Sequence, residues 1–245
     1  MNTESASIAT IERKPLHQMF YAIPKRYDLI NKLITLGLDK GWRRKAAKVC
    51  LESHPRRVLD LCCGTADLLL DVAQMADDGV ELTGVDYSRT MLDVAQRKAA
   101  QIVPGRKVDF VFGDAAAIPF PNSHFDCVGI SFAFRNLTYK NPYAPEHLQE
   151  ALRVLRPGGR FVIVETSQPK SALVRAVYHA YLRSYVYRTG YWLSGSKGAY
   201  RYLAESARRF YSAPELRAML LQTGFTEARF SPMLLGAVGI CVAVK

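Results

Sequence analysis

Residues 57–76 read RVLDLCCGTADLLLDVAQMA. The first seven, RVLDLCC, form a short, largely apolar run that suits a strand covered on both faces. The last ten, DLLLDVAQMA, follow a helical pattern. Between the two stands Gly64, where the backbone can approach a ligand closely and the next helix can offer its first amides. The glycine spacing is not G-x-G-x-x-G, so a pyrophosphate cradle is poorly supported. A strand turning through glycine into a helix is the building unit of a parallel α/β sheet.

The unit recurs on the C-terminal side. ELTGVDY (81–87) precedes the helical RTMLDVAQRKAAQI. KVDFVFGD (107–114) leads through a proline-containing loop to FDCVGISFAF (125–134). APEHLQEALRVL reads as a helix ended by Pro157-Gly158-Gly159, and RFVIVET (160–166) as another buried strand. After the helical APELRAMLLQTGF, closed by Gly224, the segments TEARFSPMLL and AVGICVAVK follow with only a short turn between them. Strands so closely joined must be antiparallel. The expected fold is α/β, a doubly wound and mostly parallel seven-stranded sheet ending in an antiparallel hairpin. That pattern resembles the class I methyltransferase variant of the doubly wound fold. Residues 1–50 are expected to form an N-terminal helical lid on a domain spanning 51–245. Residues 171–211 interrupt the alternation and are expected to be a helical insertion covering the site.

Charge is uneven along the 245 residues. Residues 1–57 carry +7, 58–150 carry −6, 151–211 carry +9 and 212–245 carry +1, for a net +11. Basic segments attract nucleic acid or anionic lipid, or simply solvate a surface. Five cysteines, with no C-x-x-C pair, point to reduced, buried thiols and a cytoplasmic setting. Five scattered histidines show no metal-ligand spacing, and His124 and His147 read as surface residues. The polar MNTESASIATIERK lacks the apolar core of a signal peptide. The longest apolar run, Met233 to Val244, is too short to span a bilayer.

Ligands of open α/β sheets bind at the carboxyl ends of the strands. There the sequence places Gly64, then Asp86, then Gly113-Asp114-Ala115. An acid at the second strand end can accept hydrogen bonds from ribose hydroxyls, in NAD and in S-adenosylmethionine sites alike. A carboxylate and a backbone amide at the third can read an adenine edge. Each acid alone could be a helix N-cap. Three such features at successive strand ends favour a nucleoside site.

Several longer stretches carry a resemblance. They are RYDLIN (26–31), GLDKGWRRK (37–45), VLDLCCGTAD (58–67), GVDYSRTML (84–92), GDAAAIPFPNSHFD (113–126), SFAFRNL (131–137), RVLRPGGRFVIVETSQP (153–169) and AYRYLAESARRF (199–210). Through these the sequence resembles the ubiquinone/menaquinone biosynthesis C-methyltransferase family (UbiE/MenG). The resemblance implies S-adenosyl-L-methionine as cofactor. Gly64 and Thr65 would hold its amino-acid end, Asp86 the ribose, Asp114 and Ala115 the adenine, and Ser131 would line the site. It also implies a prenylated quinol substrate, with demethylmenaquinol favoured over its benzoquinol counterpart. Two departures stand out: Ala66 replaces the family's usual Gly, and segment 138–147 is longer than the family norm.

A ring carbon is a poor nucleophile until a neighbouring hydroxyl loses its proton, and a phenol has a pKa near ~10. In SFAFRN (131–136), Arg135 and Asn136 are expected to face the quinol oxygen, the first stabilising negative charge and the second orienting the ring. The alternative is that Arg135 pairs with a local carboxylate. Tyr27 is a candidate partner from the lid, with helix packing as its alternative. The Tyr- and Arg-rich 171–193 suits peripheral contact with an anionic membrane surface. No RNA-binding module is recognisable, so no nucleic-acid partner is expected, although the basic flanks leave RNA methylation as a competing reading. A non-catalytic S-adenosylmethionine-binding partner in a quinone-making assembly is a third, and a homodimer stays open.

Overall fold

The computed structural model describes residues 27–194 and 197–245. Helices α1 (Tyr27–Ile34) and α2 (Leu38–Leu51) lead into β1 (Arg57–Leu61). Then follow α3 (Asp67–Ala73), β2 (Glu81–Asp86), α4 (Arg89–Ile102), β3 (Asp109–Phe112) and β4 (Phe125–Ser131). A short α5 (Phe134–Thr138) and α6 (Ala144–Val154) precede the long β5 (Leu155–Thr166). Helix α7 (Ala172–Tyr181) runs through a π-helical turn (Leu182–Val186) into α8 (Tyr187–Ser194). The chain ends with α9 (Lys197–Arg208), α10 (Ala213–Thr223), β6 (Glu227–Met233) and β7 (Val238–Val244).

The seven strands form one sheet in the order β3-β2-β1-β4-β5-β7-β6. The first five are parallel, and β7 lies antiparallel between β5 and β6. The chain therefore reverses its lateral direction between β1 and β4, the switch point where such sheets open a crevice.

Alternate residues of each central strand enter different cores, as the pleat requires. Leu59, Val128, Ile130, Phe161 and Ile163 pack with α5, α6 and α10 on one face. Val58, Cys127, Val162 and Val164 pack with α2 and α3 on the other. Both faces are covered, which is why the strands read as unbroken apolar runs. A third cluster unites Ile30 and Ile34 of α1 with Leu182, Val186, Tyr200 and Ala204. Helix α1 and the 172–208 helices are thus one cap, whereas α2 packs on the sheet through Ala46, Ala47 and Cys50. The hydroxyls of Tyr181 and Tyr185 donate to the carbonyls of Ile34 and Leu33 and fasten the two parts.

Two boundaries differ from expectation. The strand expected to run to residue 134 ends at Ser131. Phe132 turns into the left-handed region (φ 54°), so SFAFRN straddles a strand end and the helix α5. Pro157-Gly158-Gly159 does not end a helix but lies inside β5, which starts at Leu155 opposite Phe125.

Candidate active site

A cleft opens over the carboxyl ends of β1, β2 and β4. Gly64, Thr65 and Asp67 line it after β1, and Asp86, Ser88 and Met91 line it around the end of β2. Ser131, Phe132 and Asn136 close it from β4 and α5, while Asn31 and Arg43 reach it from the N-terminal helices. Gly64 holds φ 55°, the left-handed region that favours glycine. Ala66, the N-cap of α3, shares that region (φ 64°) despite its Cβ, a strain of roughly 1–2 kcal/mol.

Asp86 is 7% exposed and its carboxylate is fixed from two sides. Oδ2 accepts the Gly64 N–H and Oδ1 the Ser88 N–H, each at 2.8 Å. Burial pushes its pKa up to about 6, against the lowering by these amides. Each oxygen retains acceptor capacity for an added hydroxyl.

Asp60 was not singled out from the sequence. It lies in β1, 2% exposed, on the strand face that meets α3. Oδ2 accepts the Leu69 N–H at 3.2 Å, but Oδ1 is buried with no hydrogen-bond partner among the described residues. Burial holds its pKa well above the ordinary carboxylate range. An acid inside a strand that is otherwise apolar was the available signal. A buried carboxyl oxygen without a protein partner suits a bound water or a polar group of a ligand. Together with the glycine turn and the fixed Asp86, it suits a cofactor with an ammonium and a ribose.

Arg135 occupies a different place from the one expected. It is 3% exposed in α5 and does not line the cleft. Its Nη1 donates to Glu165 Oε1 at 2.8 Å and to Thr166 Oγ1 at 3.0 Å, while its backbone N–H donates to Glu165 Oε2 at 3.1 Å. The pairing weighed as an alternative, a carboxylate partner, is the one present. Asn136, next along, does line the cleft. Asp114 and Ala115 follow β3 and do not line the cleft, and Asp114 Oδ1 accepts the Ala116 N–H at 3.0 Å. Tyr27 opens α1, and its side chain lies outside the described residues.

The cleft thiol Cys63 is pushed well above its usual pKa, chiefly by burial and then by Asp86 and Asp60. It is a neutral packing group, not a nucleophile. His147 is 3% exposed, not a surface residue, and its Nδ1 lies 2.9 Å from the Leu137 carbonyl. The lengthened segment is half helix, because α6 starts at Ala144. His147 therefore points back onto α5. Among the described residues no cluster of metal-ligating side chains converges.

The sequence matches the model of the ubiE/COQ5 methyltransferase family over residues 8–245. It is 40% identical to the demethylmenaquinone methyltransferase of Deinococcus radiodurans, covering 94% of this chain and 92% of that one. It is 41% identical to the enzyme of the same name from Thermus thermophilus, over 91% and 98%. It is 34% identical to the ubiquinone/menaquinone biosynthesis C-methyltransferase UbiE of Pseudomonas paraeruginosa, over 95% and 89%. Among solved structures it superposes on an O-methyltransferase family protein from Burkholderia thailandensis (TM-score 0.67, 13% identity, 98% of this chain and 68% of that one). It also superposes on a SAM-dependent methyltransferase from Aquifex aeolicus (TM-score 0.54, 18% identity, 77% and 81%). These two show a shared fold.

Proposed function

The chain belongs to the ubiE/COQ5 methyltransferase family, and on that premise we propose that it methylates a ring carbon of a prenylated quinol, converting demethylmenaquinol to menaquinol. S-adenosyl-L-methionine is the cofactor, and it supplies an electrophilic methyl on a sulfonium. The observation that carries the substrate is the 40–41% identity to two demethylmenaquinone methyltransferases across nearly their full lengths.

In this reading Gly64, Thr65 and Asp60 receive the amino-acid end of the cofactor, and Asp86 receives the ribose. Asp114 and Ala115 receive the adenine, and Ser131 lines the cavity between cofactor and acceptor. Asn136 orients the quinol ring at the mouth of α5. Arg135 acts from behind it, its charge shared with Glu165, and favours the phenolate by through-space attraction. Tyr27, at the start of α1, keeps the role of candidate partner to the ring. Holding ring and methyl in line can supply ~7–11 kcal/mol of the barrier. Of the lid expected over 1–50, the described part that covers the domain 51–245 together with about 171–211 is α1, while α2 packs on the sheet.

A long-tailed quinol has to be drawn from a membrane. Among the described residues no helix is long and apolar enough to cross one. We place the protein in the cytoplasm, attached peripherally through the cap. Helix α7 has no buried residue, and Leu173, Val177 and Trp192 are 76%, 64% and 88% exposed. Exposed Arg183 and Arg188 stand among them and suit anionic head groups.

The test is transfer of labelled methyl to chemically reduced demethylmenaquinone and to its benzoquinone counterpart in detergent. Label in the naphthoquinol alone is expected. Label in the benzoquinol alone would reverse the choice of ring, and label in neither would refute quinol methylation.

A further inference from the structure

Arg43 brings α2, the helix that follows α1 of the cap, into contact with the cleft. It sits on α2, its side chain is 13% exposed, and it lines the cleft beside Asp60, Gly64 and Thr65. Its Nη2 pairs with Asp39 at 2.7 Å and with Asp67, the first residue of α3, at 3.2 Å. Asp39 is itself held by the Thr35 hydroxyl at 2.6 Å. The guanidinium is therefore oriented from its own helix and from the sheet. Its Nε–H is nevertheless buried with no acceptor among the described residues.

Two buried polar atoms without partners among the described residues thus line one cleft: the Nε–H donor of Arg43 and the carboxyl Oδ1 of Asp60. Leaving either buried and unpaired is costly. A bare anion would satisfy Arg43 but would be repelled by Asp39, Asp60, Asp67 and Asp86. A bare cation would satisfy Asp60 and leave Arg43 unpaired. A zwitterion carrying a carboxylate and an ammonium on one carbon satisfies both.

Resting on the identity of the cofactor and not on that of the methyl acceptor, we infer that Arg43 binds the cofactor's α-carboxylate through Nε–H while Asp60 accepts from its α-ammonium. Helix α2 is then part of the cofactor site and not only packing against the sheet. Because Lys98 of α4 pairs with Asp67 and reaches Thr65 Oγ1 at 3.3 Å, the same network joins α2, α3 and α4 around the amino-acid end.

The experiment compares two nucleosides by calorimetry. S-adenosylhomocysteine carries the α-amino-carboxylate, and 5′-methylthioadenosine lacks it. The wild-type protein is expected to prefer the first by tenfold or more (~1.4 kcal/mol per tenfold). Arg43→Met keeps the apolar stem and removes the donors; it should abolish most of that preference and leave methylthioadenosine binding unchanged. Arg43→Lys keeps charge near Asp39 and Asp67, guarding against a folding defect, and should also lose most of the preference. An intact preference in either folded variant overturns the inference, as does an equal loss for both nucleosides, the mark of a merely structural role. If the wild-type protein binds neither nucleoside, the cofactor reading fails and this inference with it. No quinol is used, so the result is independent of the proposed substrate.

Discussion

Arg135 and Glu165 meet at 2.8 Å with side chains only 4% and 2% exposed, one on α5 and the other near the end of β5. Glu165 Oε2 also accepts the Arg135 backbone N–H, so one carboxylate fixes both the guanidinium and the start of α5. The same helix carries Asn136 into the cleft. The pair therefore sets the position of a cleft residue, and the proposed reading gives its guanidinium a second role, in the chemistry.

Those roles separate by substitution. Removing one partner of a buried pair costs roughly 3–5 kcal/mol, because the other charge is stranded. Arg135→Met and Glu165→Leu should each lower the melting temperature sharply. The double variant should recover much of the loss, since an apolar pair strands no charge. Methyl transfer should not return with it if the Arg135 charge favours the phenolate. Thermal denaturation with turnover on the three variants tests this. Full turnover in the double variant would remove Arg135 from the chemistry and leave it a structural role.

Asp86 predicts a pH dependence with two opposite signs. Its pKa in the folded protein is about 6, raised from an ordinary ~3.9 in the unfolded chain. The folded state therefore holds its proton more readily. The stability this gives is fully present below pH ~4 and is lost as pH rises through about 6. Ribose recognition runs the other way, because only the carboxylate accepts from both hydroxyls. At pH 5 about a tenth of Asp86 is ionised. S-adenosylhomocysteine and methylthioadenosine should then both bind about tenfold more weakly than at pH 7.5. A flat calorimetric profile between these values would take the ribose away from Asp86.

The sheet was legible because each central strand is buried on both faces and the closing hairpin allows only an antiparallel pair. Glycine and acid at the first two strand ends marked the cleft for the same reason: topology puts strand ends together. Contacts between distant segments were not legible. Nothing local shows that Glu165 reaches back to Arg135, or that Ile30 packs with Val186 and Tyr200 in one cap. Asp60 was hidden inside a strand whose pattern explained it as core. His147 was misjudged because the segment before it read as loop, whereas Ala144 starts a helix that turns the ring onto α5.

The cap depends on one close approach. The ring of Tyr200 on α9 lies so near Gly190 on α8 that no Cβ fits between them. Tyr200 belongs to the cluster that joins α9 to α1 and the π-helical turn. Gly190→Val should push these helices apart at a cost of about 1–3 kcal/mol, as overpacking does. Trypsin should then cut faster at the exposed Arg183 and Arg188, and quinol turnover should fall. Affinity for methylthioadenosine should hold, because Asp86 and Gly64 stand on the sheet. Unchanged proteolysis would show that the cap does not rely on this contact.

The turn between β6 and β7 presents Leu234 and Leu235 at 51% and 78% exposure, both at positive φ (44° and 55°). For leucine that conformation costs roughly 1–2 kcal/mol per residue, so two strained apolar side chains face outward with no packing to compensate. The turn lies at the end of the sheet that carries the cleft, because the Ser167 N–H donates to the Ala237 carbonyl at 2.9 Å. That places it beside the start of α7, with exposed Leu173. If this tip enters the lipid along with the cap, replacing both leucines by glycine should act in opposite directions. Strain is relieved, so the melting temperature should hold or rise. Apolar insertion is lost, at about 1.5–3 kcal/mol per buried leucine, so association with anionic vesicles should drop roughly tenfold or more. Cosedimentation with phosphatidylglycerol vesicles at low salt measures the second effect and calorimetry the first. Vesicle binding equal to that of the wild-type protein would remove the tip from the membrane surface and leave α7 and Trp192 to carry the attachment.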